Sequence, residues 1–301
     1  MIICDTHCDT LFSLGRRPDR APRDVSAARL REGGISMQAM AMFVGGSSKM
    51  ADIAAAFDRM EAAIPVLKDQ WQLPQVTTPL EAVEGQSAFM LTVEGCDLMD
   101  GRYDVMEKWL KMGVRMAALT WNYENCIGVP ACKDQSAGLK PFGKEAVRAM
   151  AANGIALDTS HLSRRGFYEL LEMGLIPLAS HSCCDAICPC PRNLTDDQLK
   201  SLFSVGGYVG VNFYPAFLSS TGKASLQDVV QHILHMIELG GEGMVGFGSD
   251  FDGIEVKPAG LDHPGDVPKL LSALKDAGLS DAVIEGIAGQ NLLAYYRRIG
   301  H

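Results

Sequence analysis

No stretch of this chain approaches the roughly 20 consecutive apolar residues that a membrane-spanning helix needs. Its N-terminus lacks a basic region followed by an apolar segment and a small-residue cleavage site, so no export signal is expected. Basic residues are few and scattered. The 27 Lys and Arg stand against 36 Asp and Glu for a formal net charge of −9, and no basic run is long enough to track a phosphate backbone. These absences argue against membrane and nucleic acid as partners and predict a cytoplasmic protein. Internal repeats and low-complexity segments are missing too, and the 31 Gly and 14 Pro are spread along the chain rather than gathered in a linker. The nine cysteines are an odd number in a 301-residue chain large enough to be stable without cross-links, which makes reduced thiols the default.

What is present is an alternation of short β-rich runs with amphipathic segments. Eight strands are predicted at 2–8, 35–44, 87–94, 114–121, 155–161, 176–182, 208–214 and 244–251. Between them, segments such as 52–69, 143–153, 163–173 and 226–239 carry apolar residues at helical spacing, and Ser163 and Thr195 offer helix caps. The stretch 267–299 reads as two or three closing helices. Eight β/α units predict a TIM (β/α)8 barrel occupying 1–301 as one domain. The rival, a doubly wound open sheet, would carry a GxGxxG fingerprint after its first strand, and none is there.

In a barrel, chemistry gathers at the C-terminal ends of the strands. Those ends hold Asp5, His7 and Asp9 in "ICDTHCDT", then Glu94, His161, His181, Asp250 and Asp252. Alternation along a strand puts Asp5, His7 and Asp9 on one side and Cys4, Thr6 and Cys8 on the other. His7 and Asp9 are therefore the expected ligand pair, and the cysteines are assigned to the layer between strand and helices. Three imidazoles and two carboxylates suit zinc. One ion rarely needs five protein ligands, whereas two neighbouring ions would use all of them if one carboxylate bridged. Glu94, lying between the groups, is the expected bridge: His7, Asp9 and Glu94 on one ion, Glu94, His161 and His181 on the other. Water held between the ions would become a hydroxide nucleophile, and Asp250 is the expected acid/base residue, which makes the reaction a metal-assisted amide hydrolysis.

The segments "DTHCD" (5–9), "VEG" (93–95), "LDTSH" (157–161), "SHS" (180–182), "PRNLTDD" (191–197), "VNFY" (211–214) and "GSDFDG" (248–253) occur in an order and spacing that resembles the renal or membrane dipeptidase family of zinc metallopeptidases, over nearly the whole chain. The resemblance implies the same metal ligands and the same role for Asp250. It adds Arg192 as the clamp on the substrate's C-terminal carboxylate, and Tyr214 as a substrate-pocket residue. It further implies hydrolysis of dipeptides, tolerance of a D-residue at the C-terminal position, and a homodimer. Familiar mammalian members carry a histidine where this chain has Trp121, whose ring N–H can only donate, so Trp121 is expected to be a pocket wall. The apolar tail that lets animal members be lipid-anchored has no counterpart before His301.

Plainer readings compete. His232, His235, His263 and His301 have no ligand context. "DFDG" lacks the remaining ligand positions of a calcium loop, and "HSCCDAICPCPRN" has no second cysteine pair to complete a zinc or iron–sulfur site. A related amidohydrolase acting on N-acyl amino acids, lactones or other small esters is the alternative enzyme, and a non-catalytic binding protein on the same barrel is the third reading.

Overall fold

The computed structural model describes residues 1–17, 23–43 and 49–301. Its strands all pair in parallel: β1 Cys4–Asp5, β2 Met37–Phe43, β3 Gln75–Val76, β4 Ala88–Glu94, β5 Met116–Ala118, β6 Ala156–Asp158, β7 Leu178–Ser182, β8 Tyr208–Val211 and β9 Val245–Phe247. The sheet runs β2-β1-β9-β8-β7-β6-β5-β4 and closes where β4 pairs with β2, from Met37 opposite Ala88 to Phe43 opposite Glu94. Of the nine strands among the described residues, β3 alone stands outside this ring, so the barrel has the eight strands that the sequence predicts. β3 pairs with the lower part of β4, at Phe89 and Met90, below the point where β5 takes over at Val93 and Glu94. Val44, the last residue of the predicted second strand, lies outside the described residues.

Alternation along the strands sorts the core into two layers. Cys4, Met37, Ala39, Met90, Met116, Ala156, Leu178 and Tyr208 form one cluster inside the barrel, closed from below by Leu292, Leu293, Tyr295 and Tyr296 of the helix Asn291–Arg298. Their neighbours Met40, Met42, Phe89, Leu91, Val93, Val209 and Val211 face outward and pack with helix residues such as Phe57, Trp109, Phe167 and Ile233. Each fully buried Leu, Phe or Met contributes about 1.5–3 kcal/mol, so both layers hold the strand ends in place.

Above the inner cluster the interior narrows until side chains no longer fit. A Cβ at Gly248 would lie 1.8 Å from the Ser180 carbonyl oxygen, and one at Gly210 would lie 2.2 Å from the same atom. Thr6 fills what space remains, its hydroxyl bonding to the carbonyls of Ser180 (2.6 Å) and Phe247 (2.8 Å). This backbone-tight layer is the floor of the site. Among the described residues, no helix is long and apolar enough to cross a membrane.

Candidate metal centre

The ladder ends of the barrel supply every residue of the site. Glu94 is the last residue of β4 and His181 lies within β7. His7 and Asp9 follow β1, Asp9 standing just before the helix Thr10–Arg16. His161 follows β6 and Asp250 follows β9, with φ of 69° and 64°. A left-handed backbone is costly for residues with a Cβ, and its occurrence at two side chains of one cluster marks segments bent to aim them.

β1 departs from simple alternation. Its register against β9 runs from Asp5–Phe247 to Cys8–Phe251, three steps on one strand against four on the other. The backbone N–H of His7 turns back to Asp5 Oδ1 at 3.2 Å, and Asp5 also accepts from the Ser249 N–H at 2.9 Å. The expectation that Cys4, Thr6 and Cys8 share the strand–helix layer is therefore corrected. Cys4 belongs to the inner cluster, Thr6 bonds inside the barrel, and only Cys8 joins the outer layer. Asp5 braces this turn, while His7 and Asp9 face the centre.

Around Glu94 the donors fall into two sets. Its Oε1 is 3.0 Å from His161 Nε2 and 3.6 Å from His181 Nε2, while Oε2 is 3.6 Å from His7 Nε2. His7 Nε2 in turn lies 3.6 Å from Asp9 Oδ2 and 3.8 Å from Asp250 Oδ1. Behind the first set, His161 Nδ1 meets Asn122 Oδ1 at 2.9 Å, and His181 Nδ1 meets Ser180 Oγ at 2.7 Å. An amide oxygen can only accept, and the Ser180 hydroxyl already donates to Asp158, so both Nδ1 atoms carry the proton. The two Nε2 atoms, 3.0 Å apart, then present lone pairs toward Glu94 Oε1.

Such a convergence of acceptors calls for a cation. Burial, reinforced by the charges of Arg192 and His7, pushes both His161 and His181 well below the usual imidazole range, into the neutral form that ligates metal. Burial likewise drives the Glu94 carboxyl well above its usual value. For His7, burial alone would lower the pKa, but Glu94, Asp9 and Asp250 outweigh it and hold the ring at about 10. His7 Nε2 and Asp9 Oδ1 are buried without a hydrogen-bond partner. Nitrogen and oxygen atoms in this number, two of them buried and unpartnered, fit divalent metal ions, the ion displacing the proton on His7.

The centre opens into a cleft of about 1050 Å³. Asp250 is steadied by Asn212 Nδ2, 2.9 Å from its Oδ2, and burial raises its carboxyl to about 6 against the opposing pull of His7. Arg192 is buried, its Nη2 donating to the His181 carbonyl at 3.1 Å, its Cζ 5.4 Å above the Phe217 ring, and its Nε without a partner. Trp121 lies 6.2 Å from the His161 ring and edge-on to Phe43 at 4.8 Å, and Tyr214 packs edge-on against Phe217 at 4.9 Å. Each predicted site residue thus lines the cleft or its metal-facing floor.

Asn122, Asn212, Ser180 and Asp158 carry no role in the sequence reading. Ser180 and Asp158 stand inside "SHS" and "LDTSH", but their function exists only once β6 and β7 lie side by side. The cysteine segment forms no ligand set: Cys183, Cys184 and Cys188 each donate to a different carbonyl, of Asn212, His232 and Ala216. All nine cysteines are free. Asp252 accepts from the Thr10 hydroxyl and the N–H groups of Asp24 and Val25, so "DFDG" works as a latch on residues 24 and 25.

Comparison with known proteins gives a consistent picture. The pattern of the membrane dipeptidases, Peptidase family M19, matches residues 1–300. An uncharacterized dipeptidase of Schizosaccharomyces pombe is 30% identical over 309 residues, covering 94% of this chain and 76% of that protein. Among solved structures, a metallo peptidase from Rhodobacter sphaeroides, liganded with a phosphinate mimic of the dipeptide L-Ala-D-Ala, superposes with a TM-score of 0.92 at 22% identity, covering 99% of both chains. A probable dipeptidase, PvdM, from Pseudomonas aeruginosa gives 0.88 at 19% identity, covering 99% of this chain and 95% of that one.

Proposed function

Because this chain belongs to the membrane dipeptidase family, peptidase family M19, and is a metallohydrolase, we propose that it hydrolyses the peptide bond of dipeptides at a two-zinc centre and accepts a D-residue at the C-terminal position. The observation that carries the reading is the division of Glu94, one oxygen toward His7 and the other toward His161 and His181. The D-residue is supported by the L-Ala-D-Ala mimic bound to the similar Rhodobacter sphaeroides protein.

His7, Asp9 and Glu94 would hold one ion, and Glu94, His161 and His181 the other. When bound, the ions supply Lewis-acid charge that polarises the scissile carbonyl and acidifies water. The remaining work belongs to side chains. Asp250 takes up a proton from the attacking water and returns it to the nitrogen of the leaving amine. Its carboxyl lines the cleft 3.8 Å from His7 Nε2, placed to serve both directions of that transfer. Asn212 keeps its far oxygen fixed. Arg192 holds the substrate's terminal carboxylate through the guanidinium N–H groups that face the cleft, a charge-assisted contact strengthened by burial. Trp121, Tyr214 and Phe217 supply apolar wall that excludes water.

The test is a zinc count together with a panel of L,L, L,D and N-acyl substrates. Two ions per chain and turnover of free dipeptides are expected. Undiminished activity after exhaustive chelation overturns the mechanism. A preference for N-acyl substrates, which Trp121 in place of histidine would accommodate, transfers the reading to an amidohydrolase.

A further inference from the structure

The cleft carries more positive charge at its mouth than the proposed reaction uses. Among its acidic lining residues, Asp9, Glu94 and Asp250 gather around His7. Asp252 is engaged by the Thr10 hydroxyl at 2.8 Å and by the backbone N–H groups of Asp24 and Val25 at 2.9 and 3.4 Å. Among the described residues, Glu255 is left to face Arg16, Arg17, Arg23 and Arg192 along one cleft, in a chain whose formal net charge is −9.

Two of these guanidiniums are mounted alike. Arg192 sits over Phe217, and Arg16 sits over Phe12, each with 5.4 Å from Cζ to the ring centroid. Phe12 is edge-on to Phe43 at 5.1 Å, Phe43 is edge-on to Trp121 at 4.8 Å, and Trp121 lies 6.2 Å from the His161 ring. An aromatic wall therefore leads from the centre outward to Arg16. It stands on residues ending or following β1, β2 and β5, whereas Arg192 and Phe217 follow β7 and β8.

We propose that Arg16 is a specificity determinant that favours dipeptides whose N-terminal residue has an acidic side chain. The inference rests on the dipeptidase reading and deepens it. With the terminal carboxylate on Arg192 and the scissile carbonyl above Glu94, the C-terminal residue occupies the β7–β8 side. The N-terminal side chain then runs along Trp121, Phe43 and Phe12. A glutamate lays its methylenes on that apolar wall and delivers its carboxylate to the guanidinium at the far end. Arg23 is less available, since its Nη2 donates to the carbonyls of Asp252 and Ile254. Arg17 adds to the local field without a mount of this kind.

The deciding experiment compares L-Glu-L-Ala, L-Gln-L-Ala and L-Lys-L-Ala on the zinc-loaded enzyme, because Glu and Gln differ in charge at nearly equal shape. An exposed ion pair predicts kcat/KM about fivefold higher for Glu than for Gln, with Lys lowest. The Glu/Gln ratio should shrink when salt is raised from about 0.05 M to about 0.5 M, and Arg16→Glu should bring Glu below Gln. A Glu/Gln ratio of one or less, or a ratio untouched by Arg16→Glu, overturns the proposal, as does an acid preference confined to the C-terminal residue. If none of the three and none of their C-terminal D-Ala counterparts is hydrolysed, the dipeptidase reading fails by itself, and calorimetric binding of the Glu and Gln peptides decides the charge preference by the same ratio.

Discussion

The two halves of the centre share Glu94 but are built on different principles. On the β6–β7 side both imidazoles are braced from behind, His161 by Asn122 and His181 by Ser180, which Asp158 holds in turn. On the β1–β9 side His7 Nε2 and Asp9 Oδ1 are buried without partners, and His7 is kept at about 10 by the carboxylates around it once burial has been outweighed. The barrel organises one half with hydrogen bonds and leaves the other to be organised by charge. An ion entering the braced half meets two neutral rings already aimed, whereas one entering the other half must displace a proton from His7. The first ion is expected in the braced half.

The severest way to break this asymmetry is to remove what the halves share. Glu94→Ala should leave neither half able to hold its ion through dialysis and lower kcat/KM by about 10³-fold or more. Elemental analysis checks it, and a variant that keeps two tight zincs would sink the bridging role. Asp250→Asn comes next: both ions should stay while kcat falls by about 10²- to 10⁴-fold, because the amide takes no proton from water and returns none to the amine. Loss of an ion in that variant would mean that Asp250 is a ligand rather than the proton carrier.

How far the molecule can be read from its sequence also differs between regions. The barrel strands are legible because most put apolar residues on both faces, one toward the inner cluster and one toward the helices. β3 is not, since Gln75 and Val76 are too short a run to show a period. Candidate ligands are legible as His, Asp and Glu at strand ends, but facing is not. Alternation gave Cys4 and Thr6 the wrong side because the inserted step against β9 breaks the period after Asp5. Bracing residues are the least visible. Asp158 receives the Ser180 N–H at 2.9 Å from 22 positions away, and Asn122 reaches His161 across 39. A lone Asn or Ser has no signature until the fold supplies its partner.

Asp158→Asn sharpens the comparison by acting on one half only. Asp158 is 2% exposed and accepts from the N–H groups of Ser160 and Ser180, both at 2.9 Å, and from the Ser180 hydroxyl. An amide there would donate to Ser180 Oγ and turn its hydroxyl toward His181 Nδ1, moving the ring proton onto Nε2, the ligand atom. Zinc affinity of the braced half should fall by about 10- to 100-fold, the range for lost partners of ligating histidines. Zinc titration should then show one ion held and one weakened, with Ser180→Thr milder than Ser180→Ala. Two unchanged affinities would show Asp158 to be purely structural.

The smallest effect belongs to Asn122, whose neutral amide is half-buried and whose Oδ1 lies 2.9 Å from His161 Nδ1. Removing it in Asn122→Ala frees the His161 ring to rotate or take the other tautomer, but water at the cleft can replace the lost acceptor. Affinity for the same ion should drop by no more than about tenfold, below the effect at Asp158, where burial shuts water out. Asn122→Asp restores an acceptor at the same position and should recover the loss. If Asn122→Ala instead costs as much as Asp158→Asn, or Asn122→Asp fails to rescue it, bracing through Nδ1 is not what separates the two halves, and their different affinities must come from the proton on His7 alone.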